Sequence, residues 1–204
     1  MVMEDKVTPN ELSREFWEER WLERQTGWDM GKASPALLYL AEKYVREANK
    51  VLIPGCGNAH EADPILKMGY KDITLMDIST VLVNNLKKRF SPFPEITVVA
   101  EDFFTHNVQY DLILEQTFFC ALPREMRTDY VKKMYDLLNE NGILAGVLFS
   151  EEFEKEGPPF GGTYVEYQEL FAPYFIVHSM ENNDLSIPER KNKEFLFTCI
   201  KRKL

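Results

Sequence analysis

The chain has 204 residues, 45% of them apolar and 28% charged, the composition of one ordinary globular domain. That excludes collagen-like, low-complexity and disulfide-scaffold proteins. With 24 Lys and Arg against 33 Asp and Glu the net charge is −9, which argues against a nucleic-acid partner. Three widely spaced cysteines, Cys56, Cys120 and Cys199, form no Cys-x-x-Cys pair, so a reduced, cytoplasmic protein without a disulfide or zinc framework is expected. The acidic, polar N-terminus is not a signal peptide, and the longest strongly apolar run, residues 143–149, is too short to span a bilayer.

Residues 12–24 read as a helix with Phe16 or Trp17 and Trp21 one turn apart on one face. All three tryptophans, Trp17, Trp21 and Trp28, fall within the first 34 residues. Residues 25–33 read as a loop, after which Ser34 caps and Pro35 opens a second helix. Val51-Leu-Ile53 is a short strand closed by Pro54-Gly-Cys-Gly57, with a helix over 59–68 stopped by Gly69. A second strand, 73–76, ends at Asp77, and Ser79 caps a helix to residue 89. Residues 96–99 and 110–114 read as the third and fourth strands. Met126, Tyr130, Val131, Met134, Leu137 and Leu138 predict a helix over 124–138, followed by a fifth strand over 143–149. Thr163 caps a short helix through residue 171. Residues 174–178 and 194–200 are strand-like with no long helix between them, so an antiparallel pair is expected at the sheet edge. The alternation of strands and helices predicts a parallel sheet with helices on both faces.

Candidate site residues follow from the strand ends. Gly55 and Gly57 form a glycine turn at a helix start, where a ligand can approach the backbone closely. The dinucleotide fingerprint needs a third glycine where this chain has His60. Asp77 closes the second strand 22 residues after Gly55 and can accept both hydroxyls of a ribose. Past the third strand, the Glu101-Asp102 pair can accept from an adenine amino group, while the next residue offers a backbone N–H and an apolar wall. Three successive strand ends thus describe an adenosine pocket. The segment 114–120 past the fourth strand faces the substrate end, where Phe118, Phe119 and Cys120 also read as core. In the loop over 156–162, Phe160 is a candidate apolar substrate wall. His60, His106 and His178 are scattered and read as structural or surface residues. Cys56 and Cys120 have no clear histidine partner, and no metal-ligand spacing is visible.

Several motifs occur together: Phe16-Trp-Glu-Glu-Arg-Trp21, Thr26-Gly-Trp28, Ser34-Pro-Ala-Leu37, residues 51–57, Met76-Asp-Ile-Ser79, Asp102-Phe-Phe104, Thr117-Phe-Phe-Cys-Ala121 and Gly157-Pro-Pro-Phe-Gly161. Through them nearly the whole chain resembles the thiopurine S-methyltransferase family of S-adenosylmethionine-dependent enzymes, and within it the plant and microbial thiol and halide methyltransferases. The resemblance implies a single-domain Rossmann-like class I methyltransferase fold, α/β, with a mostly parallel seven-stranded sheet, an antiparallel edge strand and helices on both faces. Residues 1–34 would be a lid of the same domain and 35–204 the methyltransferase domain.

The resemblance also implies S-adenosylmethionine as cofactor, S-adenosylhomocysteine as product, and a role for each candidate. Trp17, Trp21 and Trp28 would close over the cofactor, whose sulfonium suits aromatic faces. Gly55 and Gly57 would adjoin its amino-acid portion, Asp77 the ribose, and Asp102 with Phe103 the adenine. Gln116 would line the same pocket, although relatives carry Asp-Tyr where this chain has Glu115-Gln116. The acceptor would be a small soft nucleophile (sulfide, a thiol, thiocyanate or a halide) beside Phe118 and Phe160. The chain lacks the Asn/Asp-Pro-Pro-aromatic motif of methyltransferases that hold an amine. In-line displacement by a competent nucleophile needs alignment and water exclusion more than a base, so no catalytic residue is assigned. A monomer without nucleic-acid or membrane partners is expected. Two other readings stay open: a non-catalytic adenosine-binding or regulatory protein, and a nicotinamide-dependent oxidoreductase.

Overall fold

Short apolar runs bounded by glycine, proline and aspartate become strands when helices cover both faces of the sheet, and this chain follows that rule. The computed structural model describes residues 13–44, 50–154 and 157–204. In chain order they form α1 (Arg14–Leu22), α2 (Pro35–Tyr44), β1 (Lys50–Pro54), α3 (Ala62–Met68), β2 (Asp72–Asp77), α4 (Thr80–Phe90) and β3 (Ile96–Ala100). Then come β4 (Tyr110–Gln116), α5 (Arg127–Asp136), β5 (Leu138–Phe149), α6 (Tyr164–Phe171), β6 (Phe175–Asn182) and β7 (Glu194–Lys201). The strands make one sheet in the order β3-β2-β1-β4-β5-β7-β6. β1 to β5 pair in parallel, whereas β7 runs antiparallel to both β5 and β6. The antiparallel pair therefore lies at the sheet edge, with β6 outermost.

Side-chain alternation assigns the two faces. Val51, Ile53, Leu112 and Leu114 pack with Leu40 of α2, Ile65 of α3 and Leu86 of α4. Leu52 and Ile113 point the other way and pack with Met134 of α5 and Phe171 of α6. Each of these four aliphatic partners on the strands at positions 51, 52, 112 and 113 is fully buried. Among the described residues no helix is long and apolar enough to cross a membrane.

Several boundaries differ from the sequence reading. Leu12 lies outside the described residues, and α1 is capped by Ser13, whose side chain accepts from the Phe16 N–H. The third helix starts at Ala62 rather than 59 because Ala59 has φ +49°, outside the helical region. The helix read over 124–138 divides into a 3₁₀ turn (Arg124–Met126) and α5, and Leu138 instead opens β5 opposite Tyr110. Leu137 and Leu138 are buried in either conformation, so their apolar spacing could not distinguish them. Glu156 of the expected loop also lies outside the described residues.

Candidate functional site

The parallel strands deliver their carboxyl ends to one edge of the sheet, and the site is built there. After β1, Gly55 and Gly57 take φ of +57° and +51°, which turns the chain sharply. The Cys56 N–H donates to the Met76 carbonyl at 2.9 Å and pins the turn to β2. Asp77, at the end of β2, accepts from the Gly57 N–H at 3.2 Å and from the Ser79 N–H at 3.0 Å. Burial raises its carboxyl above the usual range against the pull of these backbone bonds. Each oxygen holds one backbone donor and keeps further acceptor capacity for a ligand.

Beyond β3, Asp102 is exposed and accepts from the Phe104 N–H at 2.9 Å, which folds a 3₁₀ turn. Phe103 is buried, its ring edge-on to Phe118 with centroids 5.0 Å apart. Glu101 is tied to His106 at 2.9 Å, and His106 in turn to the Tyr110 hydroxyl at 2.8 Å. The imidazole therefore occupies Glu101 and leaves Asp102 the more open carboxylate of the pair.

β4 runs two residues further than its apolar run predicted and carries Glu115, which is fully buried. One Glu115 oxygen accepts from the Phe118 and Phe119 N–H groups at 3.0 and 2.9 Å; the other accepts from the Tyr130 hydroxyl at 2.7 Å. Burial pushes this carboxyl up to about 7, against the pull of those three bonds. The carboxyl folds residues 117–121 into a tight turn that brings Phe118 over the glycine turn. A Cβ on Gly55 would lie 2.7 Å from Phe118 Cδ2. Gly55→Ala is therefore expected to lower stability by roughly 1–2 kcal/mol through the positive φ alone. It should also push Phe118 aside, and chemical denaturation beside a cofactor titration measures both effects.

A cavity of about 1320 Å³ lies over these ends. Trp17, Trp21, Trp28, Gly55, Gly57, Asp77, Asp102, Phe103 and Phe118 all line it. Trp28 meets Trp17 and Trp21 edge-on, with centroids 5.5 and 5.8 Å apart. Gln116 lies apart from this group, in an adjoining pocket of about 70 Å³ that it shares with Gly55, Gly57, Trp21 and Trp28. Its Oε1 is buried without a hydrogen-bond partner. Phe160 is the correction: it does not line the cavity, whereas Gly157, Pro158 and Pro159 of the same loop do. Its N–H donates to the Cys120 carbonyl at 2.7 Å and its carbonyl accepts from Arg127 at 3.2 Å, so its backbone ties the loop to the turn and to α5.

The far end of the cavity holds Cys120, Leu122, Met126, Phe149 and Phe153, with Arg190 and Lys193 beside them. The Cys120 thiol donates to the Thr117 carbonyl at 3.4 Å. Burial, and then the nearby Glu115 charge, push it up to about 12, so it stays a thiol. Among the described residues no histidine lines this cavity. Sequence reasoning missed Arg190 and Glu115. Arg190 sits in a run of charged residues that gives it no distinguishing signal, and Glu115 was noticed only as part of an unusual pair.

A family model for thiopurine S-methyltransferase matches residues 12–204. The chain belongs to the thiopurine S-methyltransferase family. It is 32% identical over 199 residues to thiocyanate methyltransferase 1 of Brassica oleracea, covering 94% of this chain and 87% of that protein. It is 32% identical over 195 residues to probable thiol methyltransferase 2 of Arabidopsis thaliana, covering 92% and 85%. A Burkholderia thailandensis 1,6-didemethyltoxoflavin-N1-methyltransferase, solved with its substrate and S-adenosylhomocysteine, shares the fold at a TM-score of 0.80 and 16% identity. That alignment covers 99% of this chain and 94% of the other. The chain is thus a methyltransferase with the Rossmann-like fold, and its methyl donor is S-adenosylmethionine.

The residues fit that donor. The orphaned Gln116 Oε1 beside the glycine turn suits an ammonium. Two carboxylates on successive strand ends suit ribose and adenine donors, and three indoles suit a sulfonium. The missing third glycine and the tryptophan cluster do not suit a nicotinamide dinucleotide.

Proposed function

We propose that this protein methylates a small soft nucleophile: an organic thiol, sulfide, thiocyanate or a halide. The observation that carries the reading is the acceptor end of the cavity, where apolar and aromatic side chains stand beside Arg190 and Lys193, whose positive charges suit an anionic nucleophile, and where the one thiol stays protonated. A thiolate, thiocyanate or a halide arrives ready to attack and needs no proton removed within the site. Family members named for thiocyanate and thiols support the same class.

S-adenosylmethionine, when bound, supplies a sulfonium methyl group open to in-line attack. In this reading Asp77 holds the ribose and Asp102 the adenine amino group, with Phe103 behind it. Gln116 Oε1 takes the ammonium beside Gly55 and Gly57. Trp17, Trp21 and Trp28 cover the positive charge, each such contact being worth about 0.5–2 kcal/mol. Residues 13–34 act as a lid that excludes water, and Phe118 faces the acceptor. In this reading the protein acts as a monomer.

The test is to incubate the full chain with S-adenosylmethionine and, separately, sulfide, an aliphatic thiol, an aromatic thiol, thiocyanate and iodide, and to assay methylated product by mass spectrometry. Turnover of at least one of these is expected. Binding of S-adenosylhomocysteine with no turnover of any would favour the non-catalytic adenosine-binding reading.

A further inference from the structure

The lid is held from three directions, and the third is unexpected. Helix α1 buries none of its residues completely, so polar contacts and half-buried aromatic rings must keep it in place. At the start of α4, the Thr80 N–H donates to Glu18 and Arg14 donates to the Thr80 hydroxyl, both at 2.8 Å. At the glycine turn, Asp29 of the lid loop is bonded by Asn58 and by His60. Both anchors sit on the cofactor side. From the opposite end of the sheet, Arg190 Nη2 donates to the Trp28 carbonyl at 2.9 Å, across 162 residues of chain.

Arg190 is built for more than this one bond. Its side chain is 13% exposed and its other terminal nitrogen, Nη1, is buried without a hydrogen bond. Glu194 Oε1 lies 3.6 Å from that nitrogen, while the second Glu194 oxygen is occupied by Asn183 and Ser186. The guanidinium stands over the Phe149 ring, 5.6 Å from its centroid. Arg190, Trp28 and Phe149 all line the large cavity. One side chain therefore touches the lid backbone, the acceptor end and the hairpin that carries it.

We propose that Arg190 is a positioning residue, a latch that holds the tryptophan lid shut from the acceptor side and couples the two ligands. An anionic acceptor lodged near Phe149 fixes the guanidinium, the guanidinium fixes the Trp28 carbonyl, and the closed lid retains the cofactor. By reciprocity the cofactor tightens the acceptor by the same factor. The inference rests on the lid and the acceptor class proposed above.

The experiment titrates the full chain with S-adenosylhomocysteine by calorimetry, with and without sodium thiocyanate. Tryptophan emission is followed in parallel, because every tryptophan of the chain lies in the lid. In the wild type, thiocyanate should tighten S-adenosylhomocysteine about fivefold or more, and cofactor binding should change the emission. Arg190→Met should weaken S-adenosylhomocysteine about tenfold, reduce the emission change and remove the thiocyanate effect. Arg190→Lys keeps a positive charge beside Glu194, guards against loss of the hairpin, and should give intermediate values. Wild-type affinity, emission and thiocyanate dependence in both variants would overturn the latch while leaving the cofactor site intact. Failure of the wild type to bind S-adenosylhomocysteine would overturn the latch and the function reading together.

Discussion

Glu115→Ala is expected to lower stability by about 3–9 kcal/mol, because it strands two amide N–H groups and the Tyr130 hydroxyl in the core at about 1–3 kcal/mol each. The turn carrying Phe118 and Cys120 should lose its shape, so cofactor affinity should fall even where the variant remains folded. Urea denaturation followed by far-UV circular dichroism measures the first effect, and a loss under 1 kcal/mol would contradict the network described. Glu115→Gln separates charge from geometry, since its carbonyl can serve both amides and its amide can donate to Tyr130. Burial raises the Glu115 carboxyl from 4.5 to about 7. Between those values the native state keeps a proton that the unfolded state has released, so this group makes stability fall as pH rises. Below pH 4.5 both states hold the proton and the effect is absent. Above pH 7 neither does, and the full cost, about 3 kcal/mol, is in place. Wild-type stability relative to Glu115→Gln should therefore decline from pH 4.5 to pH 8, and a flat difference would show that this carboxyl does not titrate in that window.

Asp77→Asn is expected to weaken S-adenosylhomocysteine binding by about 30–100-fold. An ionised carboxylate accepting from two ribose hydroxyls makes two charge-assisted bonds of about 1.5–3 kcal/mol each, and the amide can replace only part of them. The variant should stay folded. Its remaining oxygen can still accept from Ser79, and removing a charge whose burial raises its pKa offsets the loss of the Gly57 bond. Asp77→Ala is a poorer probe, because it frees two backbone N–H groups at once and mixes stability with binding. Unchanged affinity in Asp77→Asn by calorimetry would remove the ribose from this strand end.

The part of the candidate site over the ends of β1 to β3 was legible because its signals are local. A buried parallel strand reads as an apolar run, and a glycine or an aspartate at or just past its end marks a turn over the cavity. β2 ends on Asp77, Gly55 follows the end of β1 and Asp102 lies two residues past β3, all of them lining the cavity. The acceptor half depends on contacts between distant segments. Glu115 is the sixth residue of β4 and its three partners come from a turn and from α5, so nothing in its neighbours announces a buried carboxylate. Gly146 read only as part of an apolar strand, yet a Cβ there would lie 2.0 Å from the Glu115 carbonyl oxygen, so β4 and β5 approach closely beneath the site. Phe160 was chosen for its ring, whereas the loop meets the cavity through its prolines. The bond from Arg190 to Trp28 joins two polar stretches that no periodicity links.

The central claim is that the cavity over the ends of β1 to β4 is an S-adenosylmethionine site. Thermal melting of the full chain with S-adenosylmethionine, S-adenosylhomocysteine and NAD, each alone, tests it most directly. A ligand at 100 times its dissociation constant stabilises the native state by about 2.7 kcal/mol, which at this length is several degrees. A rise with the two sulfur nucleosides and none with NAD is the predicted result. A rise with NAD alone, or with none of the three, would contradict it.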